Sequence, residues 1–402
     1  MYRDYMNYVS LFSAGGVGCF GFKQEGFEGI ATSELIERRL NIQKYNEKIK
    51  YDEGYILGDI TQDTTKQQLF DAIKLYNEKE NNDEVDVIIF TPPCQGMSLA
   101  NLKKNDGTIV KNSLVVEALE IVNKIKPKFF VSENVKAFMN TKCIDHDINK
   151  KIRDAFKDWL SKDYIYEERI LNFKDYGANS SRTRSLCIGV RKDLSKKIDP
   201  ALLFPSEEKE KTIRDVIGNL PSLEIMGEIS ENDIYHGFRK YKPEMRSWIH
   251  DIKEGESAFD NEDPLKRPHK IVNGEIVHHI DKKFRKYNRQ PWDSVALTIH
   301  TRNDTLSSQN TVHPTDDRVF SIRELMALMN IPNEFKWTDI DEDELNKLPI
   351  EKKEEFLKDN EINIRQCIGE AVPPIIMQKI AKNIKDALNG KITKKSYQTR
   401  LI

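Results

Sequence analysis

The chain has 402 residues and a formal net charge of −2; 38% of its residues are hydrophobic and 32% are charged. This length and composition predict a soluble, folded protein with room for two domains and exclude an intrinsically disordered chain. There is no apolar run long enough to span a bilayer, and the N-terminus lacks the pattern of a signal peptide. The five cysteines are scattered without paired spacing, which favours a reducing, cytoplasmic location over a disulfide framework or a zinc site.

The first half of the chain alternates short apolar runs with amphipathic stretches, which predicts an α/β fold with a doubly wound, mainly parallel sheet. The predicted strands cover residues 8–12, 29–34, 55–60, 85–90, 128–132, 165–172 and 186–190. The predicted helices cover residues 64–80, 112–126 and 148–160. Since such sheets bind ligands at the carboxyl ends of their parallel strands, the residues that follow each strand are the candidates for function.

Three of these strand ends carry residues suited to a nucleoside cofactor. The first strand leads into a glycine-rich turn, residues 13–22, whose backbone can pass close to a ligand, although a tight turn without a ligand has the same pattern. The second strand ends in Glu34, whose carboxylate can accept hydrogen bonds from ribose hydroxyls or, equally well, favour the start of a helix. The third leads to Asp59, which can accept an adenine amino group but is only a loop residue when taken alone.

The next two strands are followed by residues suited to covalent chemistry. The segment Thr91-Pro92-Pro93-Cys94 places a thiol on a stiff turn after a buried strand, where it can act as a nucleophile. Taken alone, such a cysteine is more often a packing residue. Glu133, in the sequence Glu-Asn-Val, is expected at the same edge of the sheet and would form a nucleophile and acid pair with Cys94. The polar segment 100–110 is predicted to close over a substrate.

Two groups of basic residues suggest contacts to a nucleic acid, although the whole chain is close to neutral. Arg182 and Arg184 are two residues apart in an extended segment, so they share one face and suit a base carbonyl or a phosphate. From about residue 195 the strand and helix alternation is lost, and residues 236–290 hold thirteen Lys or Arg against nine Asp or Glu, interleaved with aromatics. A solvated, charged loop is the alternative in both places. Adjacent His278 and His279 have no partners at ligand spacing, so no metal site is predicted.

The C-terminal part of the chain is predicted to be helical. Ser321 and Glu324 have the spacing of a capping box at the start of a helix that reaches Met329. Residues 339–361 hold ten Asp or Glu against four Lys and are expected to form an exposed helical insertion that faces away from DNA. A terminal helix is predicted to open near Arg365 and to run on through residue 388.

In this order, the motifs resemble those of the cytosine-carbon-5 DNA methyltransferases of bacterial restriction–modification systems. The resemblance covers most of the chain and rests on the glycine turn, Glu34, Asp59, Pro93-Cys94-Gln95, Glu133-Asn134-Val135, Arg182 with Arg184, Arg323-Glu324-Leu325 and residues 366–373. Pro-Cys-Gln and Glu-Asn-Val at this spacing carry most of its specificity. Residues from about 195 to 310 match no family motif and correspond to the family's target-recognition region.

The resemblance implies a division of the chain and shows some departures. The implied divisions are a catalytic S-adenosylmethionine-binding domain at residues 1–195 and 362–402, a smaller target-recognition domain at 196–335, and an acidic insertion at 336–361. Against the family pattern, Ala14 and Val17 replace glycines, Ser180 replaces a glutamine and Glu370 replaces an asparagine. These departures bear on backbone and cofactor contacts and leave Cys94 and Glu133 untouched.

The resemblance implies a DNA (cytosine-5-)-methyltransferase that flips a cytosine out of duplex DNA within a short specific sequence and methylates its carbon 5. Cys94 would add to carbon 6, and Glu133 would carry or share a proton at ring nitrogen 3 in a dry pocket. Arg184 would hold the exocyclic oxygen, with Arg182 supporting the site. S-adenosylmethionine would supply the methyl group, and the residues implied to bind it are Phe12, Ala14, Gly15, Gly16, Glu34, Leu35, Asp59, Ile60, Pro92, Asn112, Leu114, Glu370, Ala371 and Val372. The implied partners are double-stranded DNA and a cognate restriction endonuclease that acts separately, with no membrane.

Three other functions are compatible with parts of the sequence. A tRNA cytosine methyltransferase on the same scaffold would share the motifs, but the long region between the arginine pair and Arg323 favours DNA. A DNA-binding homologue without catalysis is disfavoured, since both Cys94 and Glu133 are present. A nicotinamide dehydrogenase would share the glycine turn and Glu34, but it leaves Pro-Cys-Gln and Glu-Asn-Val unexplained.

Overall fold

A computed structural model describes residues 5–93, 112–280 and 286–392. The chain divides into two compact units: unit 1 consists of residues 1–176, 183–207 and 372–402, and unit 2 of residues 177–182 and 208–371. These units are defined by packing alone. The division into a catalytic domain, a target-recognition domain and an acidic insertion therefore stays a prediction.

Unit 1 is built on one mainly parallel sheet, which confirms the predicted α/β fold class. Its strands are β1 Met6–Leu11, β2 Phe27–Glu34, β3 Tyr55–Leu57, β4 Val87–Phe90, β5 Phe129–Val135, β6 Lys142–Asp145, β7 Ile148–Lys151, β8 Tyr164–Asn172 and β9 Thr183–Arg191. In the described residues the sheet order is β3-β2-β1-β4-β5-β9-β8, and β6 pairs with β7 alone. The strands from β3 to β5 run parallel, while β9 is antiparallel to both β5 and β8. The carboxyl ends of the five parallel strands therefore form one continuous edge.

Helices cover the sheet of unit 1, as parallel connections require. They are α1 Phe20–Gln24, α2 Glu37–Tyr45, α3 Asp63–Glu80, α4 Leu114–Ile125, α5 Ile152–Leu160 and, after unit 2, α11 Pro374–Leu388. Strand β4 is buried along its whole length, as its unbroken apolar sequence predicts. None of the helices in the described ranges combines the length and the apolar surface needed to cross a bilayer.

Strand pairing accounts for two differences from the predicted elements of unit 1. The helix predicted from residue 148 starts at Ile152, because β7 pairs with β6 around a turn in which His146 and Asp147 both have positive φ. The Glu-Asn-Val segment lies inside β5 and not after it. The antiparallel strand β9 pairs with these residues and extends β5 to Val135.

Unit 2 has short elements joined by long irregular segments. They are α6 Ile213–Ile217, β10 Ile229–Ser230, β11 Asp233–Gly237, α7 Pro243–His250, β12 His269–Val272, β13 Glu275–His278, α8 Ile322–Leu328, α9 Glu342–Asn346 and α10 Ile350–Glu370. Its core includes Trp248, Leu306, Val312 and Val319, which all pack in one apolar cluster. The Ser321 capping box is confirmed: Ser321 Oγ accepts from Glu324 N, and Ser321 N donates to Glu324 Oε2.

The predicted start of the terminal helix near Arg365 is wrong, whereas its predicted end at residue 388 is confirmed. Helix α10 begins inside the acidic segment at Ile350 and ends at Glu370, and a separate helix begins at Pro374. Two consecutive prolines, Pro373 and Pro374, lack the N–H groups that a continuous helix needs, while a proline suits the first position of a new helix. Within the acidic segment Lys353 is buried and donates to the backbone oxygen of Glu231.

A buried ionic cluster lies just before and within α8. Arg318 is fully buried; it donates two hydrogen bonds of 2.7 and 2.8 Å to Glu324 and also bonds Asp316. Burial alone raises the pKa of Glu324, but the charge and hydrogen bonds of Arg318 outweigh burial and hold that pKa at about 2. Burial lowers the pKa of His313 to about 4, and its Nδ1 accepts from Asp316 N. The cluster therefore consists of one cation, two carboxylates and a neutral imidazole.

Candidate active site

The glycine turn follows β1 at the carboxyl edge of the sheet. Phe12 and Ala14 have positive φ angles of 60° and 47°, which side chains seldom adopt, and Gly16 has a φ of 78°. Thr91, just after β4, is tied to this turn, because its hydroxyl donates to Phe12 O at 2.9 Å. The turn therefore holds a bent conformation beside the end of β4.

The two predicted nucleoside ligands lie at the next strand ends. Glu34 is buried at the end of β2, and its Oε1 accepts from Ile36 N at 3.1 Å. Among the described residues Oε2 has no hydrogen-bond partner, so it can accept from a ligand. The neighbouring Leu35 is 65% exposed, an unusual state for a large apolar side chain beside a buried acid. After β3, Asp59 is exposed and accepts from Thr61 N, while Ile60 is buried.

A buried amide joins the ends of β4 and β5. Asn134 donates from Nδ2 to Pro92 O at 2.8 Å, and its Oδ1 accepts from Val135 N. Pro92 is two residues before Cys94, and Asn134 is adjacent to Glu133. The backbone that leads to the predicted nucleophile is thus fixed against the strand that carries the predicted acid.

Glu133 and Arg184 form an ion pair on one face of the sheet. Glu133 pairs with Leu186 and Val135 with Arg184 in the β5–β9 register, so Glu133 and Arg184 are diagonal neighbours. Arg184 Nε lies 3.0 Å from Glu133 Oε1, and the two side chains are 15% and 8% exposed. The geometry does not make a hydrogen bond, so within the described part of the chain Oε1 is a buried oxygen without a hydrogen-bond partner. A buried polar atom of this kind can receive a substrate donor.

Part of the predicted site lies outside the described residues, namely Cys94, Gln95 and the predicted closing segment up to residue 111. Next to this segment, Asn112 is buried and donates to Lys142 O at 3.2 Å. Leu114 is half-buried at the start of α4 and packs on the sheet core. The described contacts of Asn112 and Leu114 are therefore with other residues of unit 1.

Four predicted site residues are distributed between the two units. In unit 2, Arg182 donates to the backbone oxygens of residues 299, 369 and 370 and so binds main chain. Arg184, in unit 1, instead pairs with the side chain of Glu133. Glu370 and Ala371 end helix α10 in unit 2 and are exposed and buried, respectively. Val372 is in unit 1, where a Cβ added to Gly18 would lie 3.3 Å from Val372 Cβ. Val372 therefore packs directly on the glycine turn.

Sequence reasoning did not single out two residues that support the turn. Lys48 is buried, and its Nζ donates to Gln43 Oε1 at 2.8 Å. Gln43 Nε2 in turn donates to Ala14 O at 2.6 Å. Neither residue belongs to a motif, and a lysine in a polar segment is typical of a solvated surface. The described ranges contain no group of three or more His, Cys, Asp or Glu side chains placed to hold a metal ion.

The fold and the strand-end residues define a class, the α/β proteins that bind a nucleoside cofactor at the carboxyl edge of a parallel sheet. The family model for C-5 cytosine-specific DNA methylases matches residues 6–386. The chain therefore belongs to the C-5 cytosine-specific DNA methylase family, as its motifs predicted, and it is a DNA (cytosine-5-)-methyltransferase (EC 2.1.1.37).

Relatives support this assignment along the whole chain. The Type II methyltransferase M1.HgaI of Avibacterium volantium is 30% identical over 388 residues, covering 94% of this chain and 97% of the relative. The Type II methyltransferase M1.HphI of Haemophilus parahaemolyticus is 26% identical, covering 94% and 86%. Among solved structures, a prophage-encoded DNA modification methyltransferase (E. coli) has a TM-score of 0.64 at 20% identity, covering 96% and 99%. The S. pombe Dnmt2 methyltransferase has a TM-score of 0.54 at 14% identity with the same coverage, and both structures support the fold.

Proposed function

We propose that the protein methylates carbon 5 of a flipped cytosine through a covalent adduct on Cys94. The thiolate adds to carbon 6, and the electron pair of the 5,6 double bond becomes available at carbon 5. Carbon 5 attacks the methyl group of S-adenosylmethionine, and the bond from that methyl group to sulfur breaks to release S-adenosylhomocysteine. The proton at carbon 5 then leaves, and elimination of the thiolate restores the ring. A cytosine stacked in duplex DNA cannot reach a buried site, so flipping precedes these steps and costs a few kcal/mol.

The observation that carries this proposal is the buried Oε1 of Glu133 beside Arg184. An oxygen in this position can donate or share a proton with ring nitrogen 3, where negative charge builds up during addition. The guanidinium of Arg184 is placed to donate its remaining N–H groups to the exocyclic oxygen of the base. Arg182 would act indirectly, through the main chain that it holds. The bond between Asn134 and Pro92 keeps the approach to Cys94 next to this pair.

The family and the fold imply S-adenosylmethionine as the source of the methyl group, and the donor set fits it. We propose that Glu34 would bind the ribose through its open Oε2 and that the exposed side chain of Leu35 would contact the cofactor. Asp59 would accept the adenine amino group, with Ile60 beside it. The backbone of the turn at Phe12, Ala14, Gly15 and Gly16 would hold the rest of the molecule, together with Pro92, Asn112, Leu114 and residues 370–372.

A role in restriction–modification is the biological part of the proposal. M1.HgaI and M1.HphI are named as Type II methyltransferases, so we propose that this enzyme protects host DNA from a cognate restriction endonuclease that acts separately. The reaction needs a reduced thiol and access to DNA, which suits the cytoplasm.

The deciding experiment is transfer of labelled methyl from S-adenosylmethionine to duplex DNA, to tRNA and to a control without nucleic acid. We expect label in the duplex only, and bisulfite sequencing of that product should place it at one short repeated sequence. Label in tRNA alone would replace the proposed substrate, and label in neither would remove the proposed reaction.

Glu133→Gln should lower kcat about 10²–10⁴-fold, the range typical of a lost general acid. The amide keeps the size of the side chain but cannot deliver a proton to ring nitrogen 3. Binding of DNA and of S-adenosylhomocysteine should be unchanged, because the fold around β5 keeps its shape. The measurement is single-turnover methyl transfer at saturating DNA and cofactor.

Glu168→Gln is the matched control for this prediction. Glu168 is a carboxylate on strand β8, which β9 separates from β5; it accepts from Ser185 Oγ and pairs with Arg153, away from the Glu133 ion pair. It should retain its single-turnover rate. A Glu133→Gln variant as fast as Glu168→Gln would remove Glu133 from the proton transfer.

The β12–β13 ribbon is our candidate for the element of unit 2 that contacts DNA. Asn273 and Gly274, both with positive φ, form its tight turn, and Ile271 pairs with Ile276 across it. Ile271 is 71% exposed. The base of the ribbon is held to unit 2, since the ring of His269 lies against Trp248. Residues 266–286 contain seven Lys or Arg against two Asp or Glu, in a chain of net charge −2. A two-stranded ribbon fits the major groove, and its apolar tip suits thymine methyl groups.

Ile271→Ser should weaken binding of a substrate duplex about tenfold, and Lys270→Ala should reduce the salt slope of binding by about 1. The serine removes apolar contact area at the tip, and the alanine removes one phosphate contact. Both are measured by fluorescence titration of duplex DNA at several salt concentrations.

Ile225→Ser is the matched control for the ribbon, since Ile225 is 72% exposed elsewhere in unit 2. It should bind DNA as the unmodified protein does. Equal DNA affinity for Ile271→Ser and Ile225→Ser, with a change of oligomeric state only in the former, would assign the ribbon to contacts between copies of the chain.

A further inference from the structure

A lysine is buried beneath the glycine turn of unit 1. Lys48 is 5% exposed, and its Nζ donates to Gln43 Oε1 at 2.8 Å and to Thr32 Oγ1 at 3.2 Å. Removing an ammonium group from water is costly, and burial accordingly lowers the pKa of Lys48. The nearby side chains of Cys19 and Glu34 oppose that shift and favour the charged form of Lys48. A methionine here would fill the same space without this cost, so the lysine has to provide something that packing alone does not.

The turn rests directly on Lys48 and its partner. Gln43 Nε2 donates to Ala14 O at 2.6 Å, and Ala14 has the positive φ that makes the turn bend. A Cβ added to Gly16 would lie 3.0 Å from Gln43 Cγ and 3.2 Å from Lys48 Cδ. Both side chains are therefore in contact with the turn on one side, and their hydrogen bonds leave Gln43 with a single orientation.

The orientation of Gln43 depends on Lys48 together with the hydroxyl of Thr32, since both donate to Gln43 Oε1 at 2.8 Å. The amide can present either its oxygen or its nitrogen to Ala14 O, and only the nitrogen can donate to it. An ammonium group can only donate hydrogen bonds, so Lys48 pairs with Gln43 Oε1. The amide nitrogen Nε2 is then left to face the turn. Thr32 Oγ1 on β2 accepts from the ammonium at 3.2 Å, donates to Gln43 Oε1 at 2.8 Å and accepts from Ser10 Oγ on β1 at 3.1 Å. A chain of polar contacts thus runs from the two central strands through Lys48 to the turn.

We propose that Lys48 is a positioning residue for cofactor binding, which fixes the conformation of the turn at residues 14–16 by orienting Gln43. The inference rests on the proposed function, in which this turn and Glu34 receive S-adenosylmethionine. Lys48 itself touches neither the cofactor nor the reacting atoms. Its substitution should therefore act on cofactor affinity and leave the chemical step, once the site is filled, largely as it was.

Lys48→Met should raise the KM for S-adenosylmethionine and the Kd for S-adenosylhomocysteine about tenfold or more, with kcat at saturating cofactor within about threefold. Lys48→Arg keeps the charge and the donors and should recover part of the affinity. The measurements are steady-state methyl transfer and isothermal calorimetry with S-adenosylhomocysteine, on the full chain.

Gln43→Glu separates positioning from stability. The new carboxylate gives the buried Lys48 an ionic partner, so the melting temperature should not fall. It cannot donate to Ala14 O, so cofactor affinity should fall as it does in Lys48→Met. This variant also keeps the test open if Lys48→Met does not fold. Unchanged affinity in Gln43→Glu, or a Lys48→Met variant that loses melting temperature but keeps its KM, would overturn the proposal.

Lys23→Met provides the lysine control. Lys23 is half-buried in α1 and donates to Asn46 O at 2.7 Å, but it does not hold the turn. Its loss should leave the KM unchanged, and an equal rise in KM would point to a general effect of removing lysines from unit 1. If the unmodified protein binds no S-adenosylhomocysteine, the proposed function fails; if it binds and the Lys48 and Gln43 variants bind equally well, only the present inference fails.

Discussion

Cys94→Ala should abolish methyl transfer from S-adenosylmethionine to duplex DNA while leaving affinity for that duplex unchanged. Without the thiolate nothing adds to carbon 6, so carbon 5 stays too poor a nucleophile to attack the methyl group. The two measurements are incorporation of labelled methyl and an equilibrium titration of the same duplex. Methyl transfer retained by this variant would show that the nucleophile lies elsewhere.

A duplex with 5-fluorocytosine at the target position tests the covalent step itself. After methyl transfer, carbon 5 would carry fluorine where a hydrogen normally sits, so no proton could leave and the thiolate could not be eliminated. The unmodified protein should then form a complex with DNA that survives denaturing electrophoresis, and Cys94→Ala should form none. A stable complex with the alanine variant would contradict a cysteine adduct at this position.

Cys143→Ala is the matched control for loss of a thiol. Cys143 is buried at the β6–β7 hairpin of unit 1, and burial raises the pKa of its thiol to about 11. Cys187, within β9, is likewise buried, and burial raises its pKa well above the usual range. Such thiols are protonated at neutral pH and poor nucleophiles. Cys143→Ala should therefore keep both methyl transfer and the trapped complex.

The fold of unit 1 was largely predictable because its strands are continuous apolar runs whose ends coincide with glycine, proline or acidic residues. The order of strand ends then places the glycine turn, Glu34, Asp59 and Glu133 on one edge, and the structure has them there. What failed depends on strand pairing. The extension of β5 through Val135 requires β9, and the β6–β7 hairpin resembles the first turn of the helix that follows it.

The supporting contacts of the site were not predictable from local pattern. Asn134 stood in a motif, but its bond to Pro92 becomes visible only when two strands separated by a helix lie side by side. Lys48 has charged neighbours in the sequence, which is the pattern of a solvent-facing segment, and its burial follows from packing of the turn over α2. In unit 2 little alternation of apolar and polar residues exists, so its short elements had no period from which they could be predicted.

Arg318→Met should lower the free energy of unfolding by about 3–5 kcal/mol, because it leaves two buried carboxylates without their cation. Glu324 and Asp316 would then have to take up protons or draw in water, and either costs part of the packing around α8. The four hydrogen bonds that Arg318 makes to these two residues and to the main chain would also be lost. Denaturant unfolding of the full chain, followed by fluorescence, measures the change.

Arg214→Met tests whether the contribution of the Arg318 cluster to the free energy of unfolding comes from burial and not from the bidentate geometry. Arg214 also makes two hydrogen bonds to one carboxylate, Asp293, but both side chains are more than half exposed. Water screens an exposed pair and replaces its hydrogen bonds when it breaks, so the unfolding midpoint should scarcely move. The double variant Arg318→Met with Glu324→Leu should recover part of the loss, since it removes one stranded charge along with the cation. If the two single arginine variants were equally stable, the Arg318 cluster would contribute nothing beyond what a surface ion pair contributes, and the packing of α8 would have to rest on its apolar side chains alone.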